Sequence, residues 1–117
     1  MNNENLTSIA CVPCQGGVPT LTDDEIAALK PRVPDWEVAS VEGVRRLRRA
    51  YTFPNFREAL EFTDAIGELA ERENHHPDIH LSWGRVVVEV WTHKIQGLHR
   101  NDFILAAKTD EIYRLEA

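Results

Sequence analysis

Asp78-Ile79-His80-Leu81-Ser82-Trp83-Gly84-Arg85-Val86-Val87-Val88-Glu89-Val90-Trp91 is the stretch whose reading decides the fold. Two runs of alternating residues flank a glycine, the pattern of a β-hairpin. A two-residue turn at Gly84-Arg85 pairs Trp83 with Val86, Leu81 with Val88 and Ile79 with Val90. Strand side chains alternate, so these six apolar residues share one face. The other face carries Asp78, His80, Ser82, Val87, Glu89 and Trp91, a mixed set able to line a site or an interface. Extending the register sets His76 opposite His93, where directly opposed Cβ atoms lie about 4.5–5.5 Å apart. Pro77 can end regular pairing there, so the firm expectation is that the two segments come together.

Outward from this hairpin the chain alternates helices and strand pairs. Asn55 with Glu58 three residues later opens a helix that runs to about Glu73. Phe56, Leu60, Ile66 and Ala70 mark its apolar stripe, and Phe62 and Leu69 widen it. Before it, Trp36 to Ala39 and Val44 to Phe53 form a first hairpin around Glu42-Gly43. Earlier still, Thr22-Asp23-Asp24-Glu25 has the form of a capping box, with Leu21 and Ile26 as its staple. The helix it opens reaches about Lys30, where Pro31 and Pro34 end it. A last helix spans about Arg100 to Leu115. The order α-ββ-α-ββ-α predicts an α+β fold, a four-stranded antiparallel sheet with helices packed on one face. Residues 1–20 read as a flexible leader and residues 21–117 as one domain.

The 117 residues suffice for a single hydrophobic core. The net charge of −6 argues against general nucleic-acid binding, which needs a basic surface. No apolar run approaches a membrane span. Met1-Asn2-Asn3-Glu4-Asn5 lacks the basic end and apolar stretch of a secretory signal, so a cytoplasmic location is expected. Cys11 and Cys14 form one C-x-x-C, but no second pair completes a zinc site and no βαβ pattern surrounds it. Reduced, unpaired thiols in a mobile tail are the expectation. The run Arg45-Arg46-Leu47-Arg48-Arg49 reads as a solvated strand face, with Leu47, Tyr51 and Phe53 on the other side.

The histidines carry the chemistry. Imidazole can both give and take a proton near neutral pH. His75-His76-Pro77 and Thr92-His93 place three of the five histidines in two short stretches that the hairpin gathers. In extended backbone the rings of His75 and His76 point to opposite sides, which does not favour joint chelation. A metal site through His76, His93 and His80 or Asp78 is the alternative, and satisfied histidines at a helix-to-strand junction are the structural one. His80 and His99 have no partner pattern.

From Trp36 onward the chain resembles the pterin-4a-carbinolamine dehydratases. The residues that carry the resemblance are Asp35-Trp36, Phe53-Pro54-Asn55-Phe56, Ala59, Phe62, Ala70-Glu71, His75-His76-Pro77, Trp83, Val86, Thr92-His93, Gly97-Leu98, Asp102 and Ala106. The resemblance implies the fold derived above. It also implies dehydration of 4a-hydroxytetrahydropterin to quinonoid dihydropterin, which recycles the tetrahydropterin cofactor of aromatic amino-acid hydroxylases. It assigns His75, His76 and His93 to the catalytic pocket, with His75 and His93 as the proton-transfer pair and His76 orienting the substrate. No metal or organic cofactor is implied, and the working form would be a homo-oligomer, a dimer or tetramer.

Asp102 and Trp36 are the implied substrate-binding residues. Asp102 could accept hydrogen bonds from pterin N–H groups, hold an imidazole in one tautomer, or simply stabilise a helix N-terminus. Trp36 could stack on the flat pterin or pack in the core. Two positions depart from the family pattern: Asn74, where an acidic residue is common, and His99, where Ser or Thr often caps the helix. Two other functions remain open. Some animal relatives serve as dimerisation cofactors for a homeodomain transcription factor, and a pterin-binding protein of molybdopterin metabolism would use the same pocket.

Overall fold

In a computed structural model, which describes residues 6–12 and 16–116, four strands form one antiparallel sheet. The strands are β1 (Glu37–Val41), β2 (Val44–Thr52), β3 (Asp78–Ser82) and β4 (Arg85–Val90), in the spatial order β1-β2-β4-β3. Three α-helices, α1 (Asp23–Leu29), α2 (Phe56–Glu73) and α3 (Arg100–Glu116), complete the expected α-ββ-α-ββ-α order. Thr22 and Glu25 make the reciprocal capping box that opens α1. The Asn55 side chain accepts the Glu58 N–H at the start of α2. Asn74 ends α2 in the left-handed conformation, a place that asparagine tolerates better than most residues.

The first hairpin turns at Glu42-Gly43, both with positive φ, as its length requires. The second turns one residue earlier than expected. Its pairs are Leu81 with Val86 and Ile79 with Val88, so Trp83 and Gly84 make the turn. Gly84 lies against the end of β2, where its carbonyl accepts the Phe53 N–H at 2.9 Å. A Cβ on Gly84 would stand 2.8 Å from the Phe53 carbonyl oxygen, so this close approach needs glycine. The shift preserves the faces, because it changes the pairing sum by two. Val86, Val88 and Val90 are buried and Ile79 and Leu81 half-buried, but Trp83 is 69% exposed at the turn. The expectation that Trp83 lies beneath the helices is therefore corrected.

The core joins the inner sheet face (Leu47, Tyr51, Val86, Val88, Val90) to Phe62, Ile66 and Leu69 of α2 and Phe103 to Ala107 of α3. On α2 the buried stripe is Ala59, Phe62, Ile66, Leu69 and Ala70. Phe56 is exposed and Leu60 half-buried, so the stripe lies turned from the one expected. Asp110 of α3 is a polar node in this core. Its Oδ1 accepts from Trp36 Nε1 (2.9 Å), Tyr51 Oη (2.6 Å) and Arg49 (2.6 Å). Burial, followed by the Asp110 charge beside it, pushes the Tyr51 hydroxyl well above the usual phenol range.

The arginines of β2 are less solvated than expected. Arg48 faces both Glu37 and Glu89 across the strands, and Arg46 pairs with Glu89 while stacking on the Trp91 ring. Residues 6–12 of the expected leader lie against the domain. Leu6 is buried in the core, with Ile9 and Cys11 packed on it. Among the described residues Cys11 has no disulfide partner, and burial together with the neighbouring Glu73 carboxylate pushes its thiol up to about 12. Cys14 lies outside the described residues. No helix among the described residues is long and apolar enough to cross a membrane.

Candidate active site

The end of α2, the start of β3 and the turn after β4 meet at one end of the sheet. Asn74 reverses the chain out of α2, so His75 and His76 follow directly on its αL backbone. β4 stops at Val90, and Thr92 closes a bridge with Gly97 around a single 3₁₀ turn, His93–Ile95. That turn replaces the extended pairing expected between His76 and His93, yet it keeps the two segments together. His75, His76, His93, Asn74, Trp91, Thr92, Lys94, Val12 and Asn101 line a pocket of about 220 Å³.

His75 is the most strongly held of the three histidines. Its Nε2 lies 2.6 Å from Asp102 Oδ1, with the imidazole only 12% exposed and Asp102 fully buried. The other Asp102 oxygen accepts from Thr92 Oγ1 at 2.9 Å and the His99 N–H at 2.8 Å. A carboxylate can only accept, so neutral His75 carries its proton on Nε2 and keeps Nδ1 free to take another. Asp102 therefore acts on an imidazole and caps α3 together with His99, whose Nδ1 accepts the Asn101 N–H at 3.0 Å. With no exposed surface, its oxygens are taken up within the protein, which favours the imidazole-holding and helix-capping readings of Asp102 over direct contact with substrate. The imidazole of His99 does the capping work expected of a hydroxyl.

His76 and His93 are exposed. His76 Nε2 meets Glu71 Oε2 at 2.6 Å on the rim. The His93 ring stands edge-to-face with Trp91, centroids 4.5 Å apart, while Arg46 covers the Trp91 ring at 3.8 Å. Trp36 is elsewhere: it is 1% exposed in the core and bonded to Asp110, so it has no face for a ligand. This is the core-packing alternative for Trp36. Trp91, just past the end of β4, takes a pocket position, and its place on the mixed face of the expected strand is a signal visible in the sequence. Val12 and Asn101 carried no such signal. Among the described residues no group of three His, Cys, Asp or Glu side chains is arranged to hold a metal ion.

The comparisons with known proteins agree with one another. Residues 19–112 match the family described as Pterin 4 alpha carbinolamine dehydratase. A protein of Syntrophotalea carbinolica named for pterin-4-alpha-carbinolamine dehydratase is 53% identical over 93% of this chain and 97% of its own length. One of Chlorobium limicola with the same name is 55% identical over 92% of this chain and 96% of its own. The crystal structure of a transcriptional coactivator/pterin dehydratase from Brucella melitensis superposes with a TM-score of 0.72 at 28% identity, covering 80% of this chain and 97% of that one. This chain belongs to the pterin 4 alpha carbinolamine dehydratase family.

Proposed function

We propose that this pocket removes water from 4a-hydroxytetrahydropterin to give quinonoid dihydropterin, restoring a pterin that a reductase can return to the tetrahydro form. The observation that carries the reading is the His75–Asp102 pair, a pocket imidazole held in one tautomer by a fully buried carboxylate. Elimination takes the proton from N5, and that electron pair forms the N5–C4a double bond. The C4a–O bond breaks as a proton reaches the departing hydroxyl. His75 and His93 form the proton-transfer pair, and His76 on the rim orients the ring. Trp91 fixes the His93 ring by its edge-to-face contact. The protein works as a cytoplasmic homo-oligomer in this reading, and its net charge of −6 fits a small-molecule partner better than a nucleic acid.

Purified protein should accelerate the dehydration of 4a-hydroxytetrahydropterin, followed by the absorbance of the quinonoid product, and a strong chelator should leave the rate unchanged. No acceleration over the spontaneous reaction overturns the reading. Loss of activity in chelator with recovery on adding zinc replaces imidazole acid–base chemistry with a metal site.

A further inference from the structure

The mechanism above makes no use of one wall of the pocket, the one formed by Val12. Three anchors bring it there. Leu6 sits in the core, 2% exposed. The Cys11 N–H donates to Glu73 Oε1 at 2.8 Å, while Lys108 holds the other Glu73 oxygen at 2.7 Å. The third anchor grips Val12 itself. Its N–H donates to Asn101 Oδ1 at 3.0 Å, and Asn101 Nδ2 donates back to the Val12 carbonyl at 2.6 Å. Asn101 thus lines the pocket with both ends of its amide already engaged, and it is 2% exposed.

The clamped residue presents an unusual surface. Val12 is apolar and 57% exposed, on the edge of a pocket otherwise built from His, Asn, Thr, Lys and Trp91. A flat bicyclic ring needs apolar surface for its faces as well as polar groups for its edge. Trp91 and Val12 are the two apolar contributors to this lining. Covering an exposed valine removes apolar area from water, and a clamped backbone loses little further freedom when that happens.

We propose that Val12 is a substrate-binding residue that packs on the heterocycle, and that Asn101 is the positioning residue that holds it there. Residues 6–12 then serve the site, with Val12 as its contact residue. The identity of the ligand as a pterin rests on the dehydratase reading; the wall itself rests on the geometry.

The test compares Val12→Ser, Val12→Leu and Asn101→Ala with the native protein. The readouts are KM and kcat for 4a-hydroxytetrahydropterin and the Kd of 7,8-dihydropterin by calorimetry. Val12→Ser should raise KM and Kd about three- to tenfold, with kcat within about twofold, the pattern of lost uniform binding. Val12→Leu should stay near the native values. Asn101→Ala should follow Val12→Ser although the valine is intact. Unchanged KM and Kd in Val12→Ser overturns the proposal, as does a fall in kcat with KM unaltered. If Asn101→Ala fails to fold, Val12→Ser on the surface decides alone. A native protein that binds dihydropterin without turning over the carbinolamine, and binds it less well as Val12→Ser, would keep the wall and remove the dehydratase reading. Native turnover with an unweakened Val12→Ser would do the opposite.

Discussion

His75→Ala and His93→Ala should each lower turnover of 4a-hydroxytetrahydropterin by about 10²–10⁴, the usual cost of losing a positioned acid or base. Their effects on folding should differ. His93 is exposed on a single 3₁₀ turn, so its removal should shift melting little. His75 is bonded to buried Asp102, and its loss leaves Oδ1 without that partner, so a moderate drop in melting temperature is expected. The double variant should lose much less than the product of the two single losses, because groups that act on one proton-transfer event fail together. Steady-state kinetics with circular dichroism measures both effects. Folded single variants with near-native turnover would make these histidines structural and the pocket a binding site only.

The largest effect on stability should come from Asp110→Ala. One oxygen of this carboxylate answers Trp36, just before β1, and both Arg49 and Tyr51 of β2. Truncation leaves an indole N–H and a phenol without their acceptor, both on side chains about 1% exposed, and leaves Arg49 only the longer pairing with Asp35 at 3.6 Å. Breaking such a buried pair from one side costs about 3–5 kcal/mol, a fall of roughly 10–20 °C in melting temperature for a domain of this size. Asp110 is not part of the pocket lining, so molecules still folded at low temperature should keep native kcat. A melting shift below about 3 °C would show that the node contributes little.

The parts of the fold that local chemistry specifies were legible in the sequence. Capping at Thr22 and Asn55, the turn at Glu42-Gly43 and the alternation of β3 and β4 each depend on residues close in the chain. The hairpin register was misread by a single turn position, since Gly84 is chosen by its contact with Phe53, some thirty residues away. The same limit hid the role of Trp36, whose partners Asp110 and Tyr51 meet it only in the assembled core. At the site, the clustering of His75, His76 and His93 followed from the hairpin alone. For Asp102 the sequence left three roles open, a ligand, an imidazole or a helix N-terminus, because the choice depends on how α3 enters beneath the pocket. Val12 lay beyond reach for a related reason. Nothing local in a polar leader marks the residue that a distant asparagine will clamp. One clue was available: Phe103 to Ala107 is apolar on every side of α3, which requires cover beyond the sheet and α2.

Asp102→Asn tests the central claim most directly, because it alters the partner of His75 without altering any exposed atom of the pocket. The asparagine can still accept the His99 N–H with its carbonyl oxygen, which turns its NH₂ toward His75 Nε2. A donor there forces the imidazole proton onto Nδ1 and leaves no free lone pair for the substrate. Measured on folded protein with saturating 4a-hydroxytetrahydropterin, kcat should fall by about 10²-fold or more while the Kd of 7,8-dihydropterin stays within a few-fold. Native kcat in folded Asp102→Asn would contradict the account, since the buried carboxylate would then be a helix cap and nothing more.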